Sequence, residues 1–591
     1  CSIADLQMAI EDAVADGVDI INYSIGNTDA SMADPDDLEL LAAVEAGIVS
    51  VVSAGNKAAD KSSYTIESPA TTPWVISVGA TSRAGTRVAQ AFRISQPESL
   101  ANLYESREAG LTPPLAVRGP LTAGLILAND GSTTVPDDET KTGSIFDACS
   151  ALENAAEIRG NIALVQRGYC NFDQKIAVAQ SAGAIAVVVF SNDMELLVMT
   201  GDPSLVNIPA VMIDQANGQL FRDSLLAGET IQITLDQSLF VTFEDDGNVM
   251  GTFSARGPNF GDTEFLKPDL VAPGTAILGG QTPDVANGFR GESFQYLSGT
   301  SQSAPHVAGI AALIKEAHPD WGPAEIKSAL MTTSRQNIRK ENNRGPANPF
   351  DMGAGHVVPN NAVDPGLLYT VDTRAYGEYL CTIGVGQLPE EECAALGLTG
   401  YAYVARNINL PSVAVTELAG SVEVKRRVTN AGPAANFSIE TNVPDGISLE
   451  VQPNSLSLAT GESADFTLTF RSDGTGLDQW FYGNYSWVND SHHVYSPFVV
   501  KPTLFGAPEY RFGQGNSGSL TLPVGLSYNG AYSAKINGLF LPCILPATFQ
   551  PDSGCVNTGP ARVAEDATFD GTYSYQDNPP AWVRRFTIQT E

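Results

Sequence analysis

Residues 298–309 read Ser298-Gly299-Thr300-Ser301-Gln302-Ser303-Ala304-Pro305-His306-Val307-Ala308-Gly309 and run into the apolar Ile310, Leu313 and Ile314. That spacing predicts a long helix from about Ser301 to Ala317. A serine at the mouth of such a helix is well placed for chemistry, because unpaired backbone N–H groups and the positive helix end can hold a developing oxyanion. Gly299 permits close approach. The same Gly-Thr-Ser also fits an ordinary helix cap, so the segment by itself leaves both readings open.

The surrounding sequence alternates helices with short apolar runs. Ser2 can cap a helix with Asp5 three residues on, Leu6, Ile10, Ala13 and Val14 repeat at helical spacing, and Gly17 can end it. Val18 to Ser24 then reads as a strand, Leu38 to Ala46 as a helix, Ile48 to Val52 as a β-branched strand and Trp74 to Val78 as another. After the serine segment, Ala324 to Thr332 predicts a second helix with Pro323 near its first turn. Such alternation indicates an α/β layered fold around a mostly parallel sheet.

The 591 residues imply about three to five domains. Hydrophobic residues make up 43%, enough to fill real cores, while 55 glycines and 36 prolines favour loops and short strands over long bundles. With 33 Lys and Arg against 67 Asp and Glu, the net charge of −34 repels phosphate backbones and anionic membranes, so neither nucleic acid nor such a surface is an expected partner. No run of eighteen apolar residues exists to span a membrane, and the opening Cys1-Ser2-Ile3-Ala4-Asp5 lacks the features of a secretion signal, so the biological start is expected elsewhere. The seven cysteines form three local groups, Cys149 with Cys170, Cys381 with Cys393 and Cys543 with Cys555, leaving Cys1 alone. C-x-x-C spacing is absent, so disulfides are the better reading and point to an oxidising compartment, secreted or extracellular, with a periplasm as the other setting.

The twelve-residue serine segment resembles that of the subtilisin-like serine proteases, or subtilases. Four more stretches resemble the same family in the same order: Asp16 to Gly26 (DGVDIINYSIG), Ser53-Ala54-Gly55-Asn56, Phe253 to Asn259 (FSARGPN) and Lys267 to Gly274 (KPDLVAPG). The resemblance implies that Ser301 is the acyl-forming nucleophile and Asn56 a side-chain oxyanion donor. It implies that Ser24, Ile25 and Gly26 pair with an extended substrate through main-chain hydrogen bonds. Ser53, Ala54 and Gly55 would line the pocket for the residue before the scissile bond, and Gly299 and Thr300 would flank the reacting centre. Read singly, Gly-Asn after a strand is a common turn, and Ser24 fits a plain strand or turn.

A nucleophilic serine needs a base, and the five histidines are His306, His318, His356, His492 and His493. His306 follows Ser301 by five residues on the same expected helix, too far along it for a direct hydrogen bond. Subtilases bring their Asp and His from segments that precede the one matching residues 16–26, and neither position is covered here. The expected partner is therefore an upstream fragment of the same protease, without which the chain is inactive.

Residues 162–172 (IALVQRGYCNF) and Ala182-Gly183-Ala184 resemble a protease-associated domain, within which Leu115 to Val117, Asn161 to Val165 and Ala184 to Phe190 read as strands and Phe172 to Ala182 as a helix. Phe350 to His356 and Asp364 to Tyr369 resemble the end of the catalytic domain in cucumisin-like subtilases. Arg427 to Pro433 resembles the start of their fibronectin type III-like domain, where Phe466 to Phe470 alternates as a half-buried strand should.

The expected architecture is a partial subtilisin-like α/β core with an inserted β-rich domain and C-terminal β-sandwich domains. Its divisions are 1–105 and 243–350 for the core, 106–242 for the insert, 351–407 for a connector, 408–504 for the sandwich and 505–591 for a small β-domain. The resulting function is secreted serine endoproteolysis of protein or peptide substrates. The competing reading is a non-catalytic peptide-binding or structural fragment. Catalysis calls for no cofactor; the family resemblance leaves structural calcium open, with no ligands that the sequence can name.

Overall fold

The computed structural model describes residues 2–27, 32, 34–58, 63–134, 142–192, 196, 199–280, 282, 293–341, 345–383, 393 and 405–506, with the backbones of four later strands, Gly518–Leu526, Gly530–Lys535, Thr568–Tyr573 and Arg584–Thr590. Ile3–Asp16 is a helix opened by the reciprocal Ser2 and Asp5 capping box and closed by Gly17 at φ 70°. A parallel four-stranded sheet follows in spatial order Ile20–Tyr23, Val49–Ser53, Ile76–Ser82 and Leu270–Thr275. Helices cover both of its faces, which explains why Val49–Ser53 is buried along its whole length and reads as a continuous β-branched run.

On one face lie Ile10, Leu40, Val44 and Trp74. On the other, the helix Thr300–Ala317 crosses all four strands and buries Ala304, Val307, Ala311 and Ile314 against Val51, Val78 and Leu270. Burying these side chains contributes about 1.5 to 3 kcal/mol for each Val, Leu or Ile, which fixes the start of this helix relative to the strand ends. The helix Pro323–Thr332 follows with Pro323 in its first turn.

A buried ionic cluster ties the early and late parts of the core together. Asp269 Oδ2 accepts from Lys267 Nζ at 2.8 Å and from the Ser77 amide at 2.8 Å, and lies 3.1 Å from Lys327 Nζ. Lys327 Nζ also donates to the carbonyls of Pro73 and Val75 at 2.9 and 2.8 Å. Burial pushes Lys267 down to about 7 against the pull of Asp269, and neighbouring Lys327 adds to the fall.

Two features of the insert differ from the sequence expectation. Gly85–Gln96, assigned above to the first part of the core, pairs antiparallel with Ile231–Asp245 and belongs to the insert's eight-stranded sheet, so that body begins near residue 85 and not at 106. Leu115 to Val117 is a single helical turn, Leu115–Arg118, and not a strand: Pro114 starts it, Leu115 is buried and Val117 is exposed. The strands Ile162–Gln166 and Ala186–Phe190 and the helix Phe172–Ser181 form as expected. The insert is a mixed sheet flanked by helices.

Residues 413–502 form two facing antiparallel-rich sheets around Trp487, Tyr485, Phe466 and Phe470. Leu367–Leu368, from the connector, adds to one of them. Disulfides join Cys149 to Cys170 and Cys381 to Cys393. Cys1, Cys543 and Cys555 lie outside the described residues. Among the described residues no helix is long and apolar enough to cross a membrane.

Candidate active site

The helix Thr300–Ala317 begins where the chain leaves Gly299, whose N–H donates to Gly274 O at 2.8 Å. The first amides of any helix lack intrahelical acceptors. Here Asn56 supplies one: its Oδ1 accepts from the Thr300 N–H at 2.9 Å and from the Thr300 hydroxyl at 3.0 Å. Thr300 Oγ1 in turn accepts from the Gly55 N–H at 3.1 Å. This buried threonine therefore fixes the Asn56 amide with its oxygen toward the helix and its Nδ2 left to donate elsewhere.

Ser301 is half-buried at the next position, and no hydrogen bond of its N–H occurs among the described residues. A β-carbon at Gly299 would stand 3.5 Å from Asn56 Nδ2, 3.6 Å from Ser301 N and 2.7 Å from Gln302 Oε1. Two N–H donors thus border one small volume that a larger residue would enter. Chemically, such a pair can hold a negatively charged oxygen.

Pro305 makes a contribution that its place in the segment did not reveal. In a regular helix the amide four residues on would bind the Ser301 carbonyl, but proline has none. The freed carbonyl accepts from Ser24 Oγ at 3.0 Å, and Ser301 Oγ donates back to Ser24 O at 3.3 Å. The end of the first strand is thereby joined to the start of the helix.

The structure brings together Ser301, Asn56, Ser24, Gly55, Gly299 and Thr300. Ile25 and Gly26 continue from Ser24 as exposed main chain, and Ser53 and Ala54 are buried beneath Gly55. Glu67, which nothing in the sequence singled out, stands between Gly26 and Gly55.

No histidine contacts Ser301 among the described residues. His306 is exposed, with Nδ1 2.8 Å from the Gln302 carbonyl. His318 stacks on Trp321 and bonds Val363 O through Nε2. His356 is buried beside Val357 O, and desolvation holds it below the ordinary imidazole range. His492 pairs with Asp364, and His493 lies in the strand His493–Pro502. Among the described residues no three His, Cys, Asp or Glu side chains gather so as to hold a metal ion, and no calcium site is assigned.

The chain matches the description "Subtilase family" over residues 1–355 and "Fibronectin type-III domain" over residues 407–500. It is 32% identical over 523 residues to the subtilisin-like protease SBT5.4 of Arabidopsis thaliana, covering 85% of this chain and 64% of that protein. It is similar also to SBT1.3 of that plant, 30% identical over 524 residues with 85% and 64% covered, and to SBT2.1, 32% identical over 523 residues with 79% and 60% covered. The chain thus spans less than two thirds of the length of these relatives. A solved structure, the psychrophilic subtilisin-like protease Apa1 from Antarctic Psychrotroph Pseudoalteromonas sp. AS-11, overlaps 61% of this chain and 73% of its own at 16% identity and a TM-score of 0.26, too low to bear on the fold. With the family match extending over more than half of its residues, the chain belongs to the subtilase family.

Proposed function

We propose that this chain is the serine-bearing part of a secreted serine endopeptidase of the cucumisin-like type. The observation that carries the reading is the meeting of Ser301, Asn56 and Ser24 at one helix mouth. Ser301 Oγ bonds to the carbonyl carbon of the scissile peptide while its proton passes to a histidine. The carbonyl oxygen becomes an oxyanion that takes hydrogen bonds from Asn56 Nδ2 and the Ser301 N–H. The intermediate expels the amine, protonated by the same histidine, and leaves an acyl-enzyme that water hydrolyses to restore the serine. No step draws on a cofactor.

The histidine and its orienting aspartate come from an upstream segment of the same protease, without which these residues do not turn over. Two observations support this: no described histidine reaches Ser301, and the outer side of Ile20–Tyr23 has no described strand beside it. The main chain of half-buried Ser24 and exposed Ile25 and Gly26 pairs with the extended substrate, and Ser53, Ala54 and Gly55 wall the pocket for the residue before the cut. Residues 85–245 form a protease-associated insert, 351–407 a connector, 408–504 a fibronectin type III-like sandwich and 505–591 a small β-domain. The two disulfides support an extracellular or periplasmic site of action.

A fluorophosphonate probe applied to the complete native assembly tests the reading. Labelling at Ser301 that Ser301→Ala abolishes is expected. Absence of labelling would favour the second reading, a peptide-binding or structural fragment, which rests on the lack of a described histidine near the serine.

A further inference from the structure

The main chain assigned above to an extended substrate continues from Gly26 into Asn27, where it is held by two other parts of the core. The Asn27 N–H donates to Ser68 O at 2.9 Å, and the Ser68 N–H donates to Asn27 O at 3.1 Å. A β-carbon at Gly26 would stand 3.3 Å from that same Ser68 oxygen, so the two segments lie close against each other. Asn27 Nδ2 also donates to Asp34 Oδ2 at 3.3 Å.

Both holders lead to one carboxylate. Asp37 sits in the first turn of the helix Pro35–Glu45, whose Leu40, Leu41 and Val44 are packed in the core. Its Oδ1 accepts from the Ser68 hydroxyl at 2.8 Å, and its Oδ2 accepts from the Asp34 N–H at 3.0 Å. The Asp37 carbonyl accepts from Trp74 Nε1 at 3.0 Å. Asp37 and Ser68 are fully buried. Burial pushes Asp37 up to about 7, against the pull of the Ser68 hydrogen bond and with the charge of Asp36 adding to the rise. A helix cap accounts for the bond to Asp34, but not for the bond to Ser68, 31 residues away.

We infer that Asp37 is a positioning residue for substrate: through Ser68 and Asp34 it holds Gly26 and Asn27 so that the main chain of Ser24, Ile25 and Gly26 can pair with an extended peptide. The inference rests on the proteolysis reading. Without the carboxylate, the buried Ser68 hydroxyl loses its acceptor and residue 68 moves to find another. Asn27 shares two main-chain bonds with Ser68 and moves with it. Pairing along the peptide weakens, while Asn56 at the serine keeps its own anchor on Thr300. An asparagine at position 37 preserves the arrangement, because its oxygen accepts from the Asp34 N–H and its amide donates to the Ser68 hydroxyl oxygen.

The test uses the protein in its complete assembly with two substrates: an extended fluorogenic peptide, and a single-residue ester too short to reach Gly26. In Asp37→Ala the KM for the peptide is expected to rise by about tenfold with kcat within about twofold, and the ester kinetics are expected to stay the same. Asp37→Asn is expected to keep the native KM within about twofold. Ser68→Ala is expected to reproduce the rise, and the double variant Asp37→Ala with Ser68→Ala to be no worse than either alone. Fluorophosphonate labelling of Ser301 reports that each variant is folded at the site. If Asp37→Ala takes no label, Ser68→Ala decides: an unchanged peptide KM in that labelled variant overturns the role of Asp37. So does a labelled Asp37→Ala in which peptide and ester change alike or not at all, or an Asn variant as impaired as the Ala variant. A native protein that takes no label and cuts neither substrate overturns the proteolysis reading and this inference with it.

Discussion

The two edges of the central sheet are finished in different ways. Along Leu270–Thr275 the edge is closed: Val271 donates to Gly355 O at 2.9 Å, Val357 donates to Val271 O at 3.0 Å, and Ala354 donates to Asp269 O at 2.9 Å. Along Ile20–Tyr23 the described partner is Val49–Ser53 on the inner side. The closed edge holds Asp269 between two buried lysines, with its hydrogen bonds directed inward. The open edge ends in Ser24, which reaches Ser301, and next to it Asn56 Nδ2 has no acceptor among the described residues. The buried ionic cluster lies at the edge that Gly355 and Val357 close, and the proposed chemistry at the edge with no described strand on its outer side.

The sharpest way to break this contrast is at the closed edge. Asp269→Ala leaves Lys267 and Lys327 buried without their counter-charge and should cost about 3 to 5 kcal/mol of stability, read by denaturant unfolding. An equal loss from Ser24→Ala would erase the distinction. At the open edge, Asn56→Ala should lower kcat of the complete assembly by about 10²- to 10³-fold, a magnitude borrowed from the corresponding donor in subtilisin, and should cost about 1 to 3 kcal/mol in unfolding, because it also removes the acceptor of the buried Thr300 N–H and hydroxyl.

A pH titration sharpens the comparison further. Because burial holds Lys267 near 7, against an ordinary value of 10.5, the unfolded chain carries a proton across that interval that the native protein has released. Stability contributed by this group therefore rises with pH from about 7 toward 10, by at most about 1.4 kcal/mol per unit. Near 10 the buried Tyr369 and Tyr485, both raised by desolvation, begin to act in the opposite sense. Lys267→Met should flatten the rising limb of the unfolding free energy measured over this range, leaving the part due to Lys327, which burial also lowers. The smallest effect is expected for Ser24→Ala, which deletes one hydrogen bond to the Ser301 carbonyl and should cost about 1 kcal/mol in thermal or denaturant unfolding.

Local signals made much of the core legible. The Ser2 and Asp5 box, Gly17, Pro323 and the apolar period after Ser301 each act within one helix, so sequence spacing locates those ends to within a residue or two. Long-range pairing was not legible: nothing near Gly85 announces that its partner lies at Asp245. Leu115 to Val117 misled because three apolar residues suit a strand, while the preceding Pro114 turns them into one helical turn. At the site, the resemblance located the serine and the asparagine, but what orients them depends on three-dimensional neighbours. Thr300 acting on Asn56, Pro305 releasing a carbonyl to Ser24, and Glu67 filling the space between two glycines each join residues far apart in the chain.

Whether Ser301 and Asn56 serve one reacting oxygen can be read from a crystal structure of the native assembly with a peptide aldehyde. A bond from Ser301 Oγ to the aldehyde carbon is expected, with the resulting oxygen within hydrogen-bond distance of both Asn56 Nδ2 and the Ser301 N–H. An inhibited enzyme with the aldehyde joined to another residue, or with its oxygen turned away from Asn56, would contradict it.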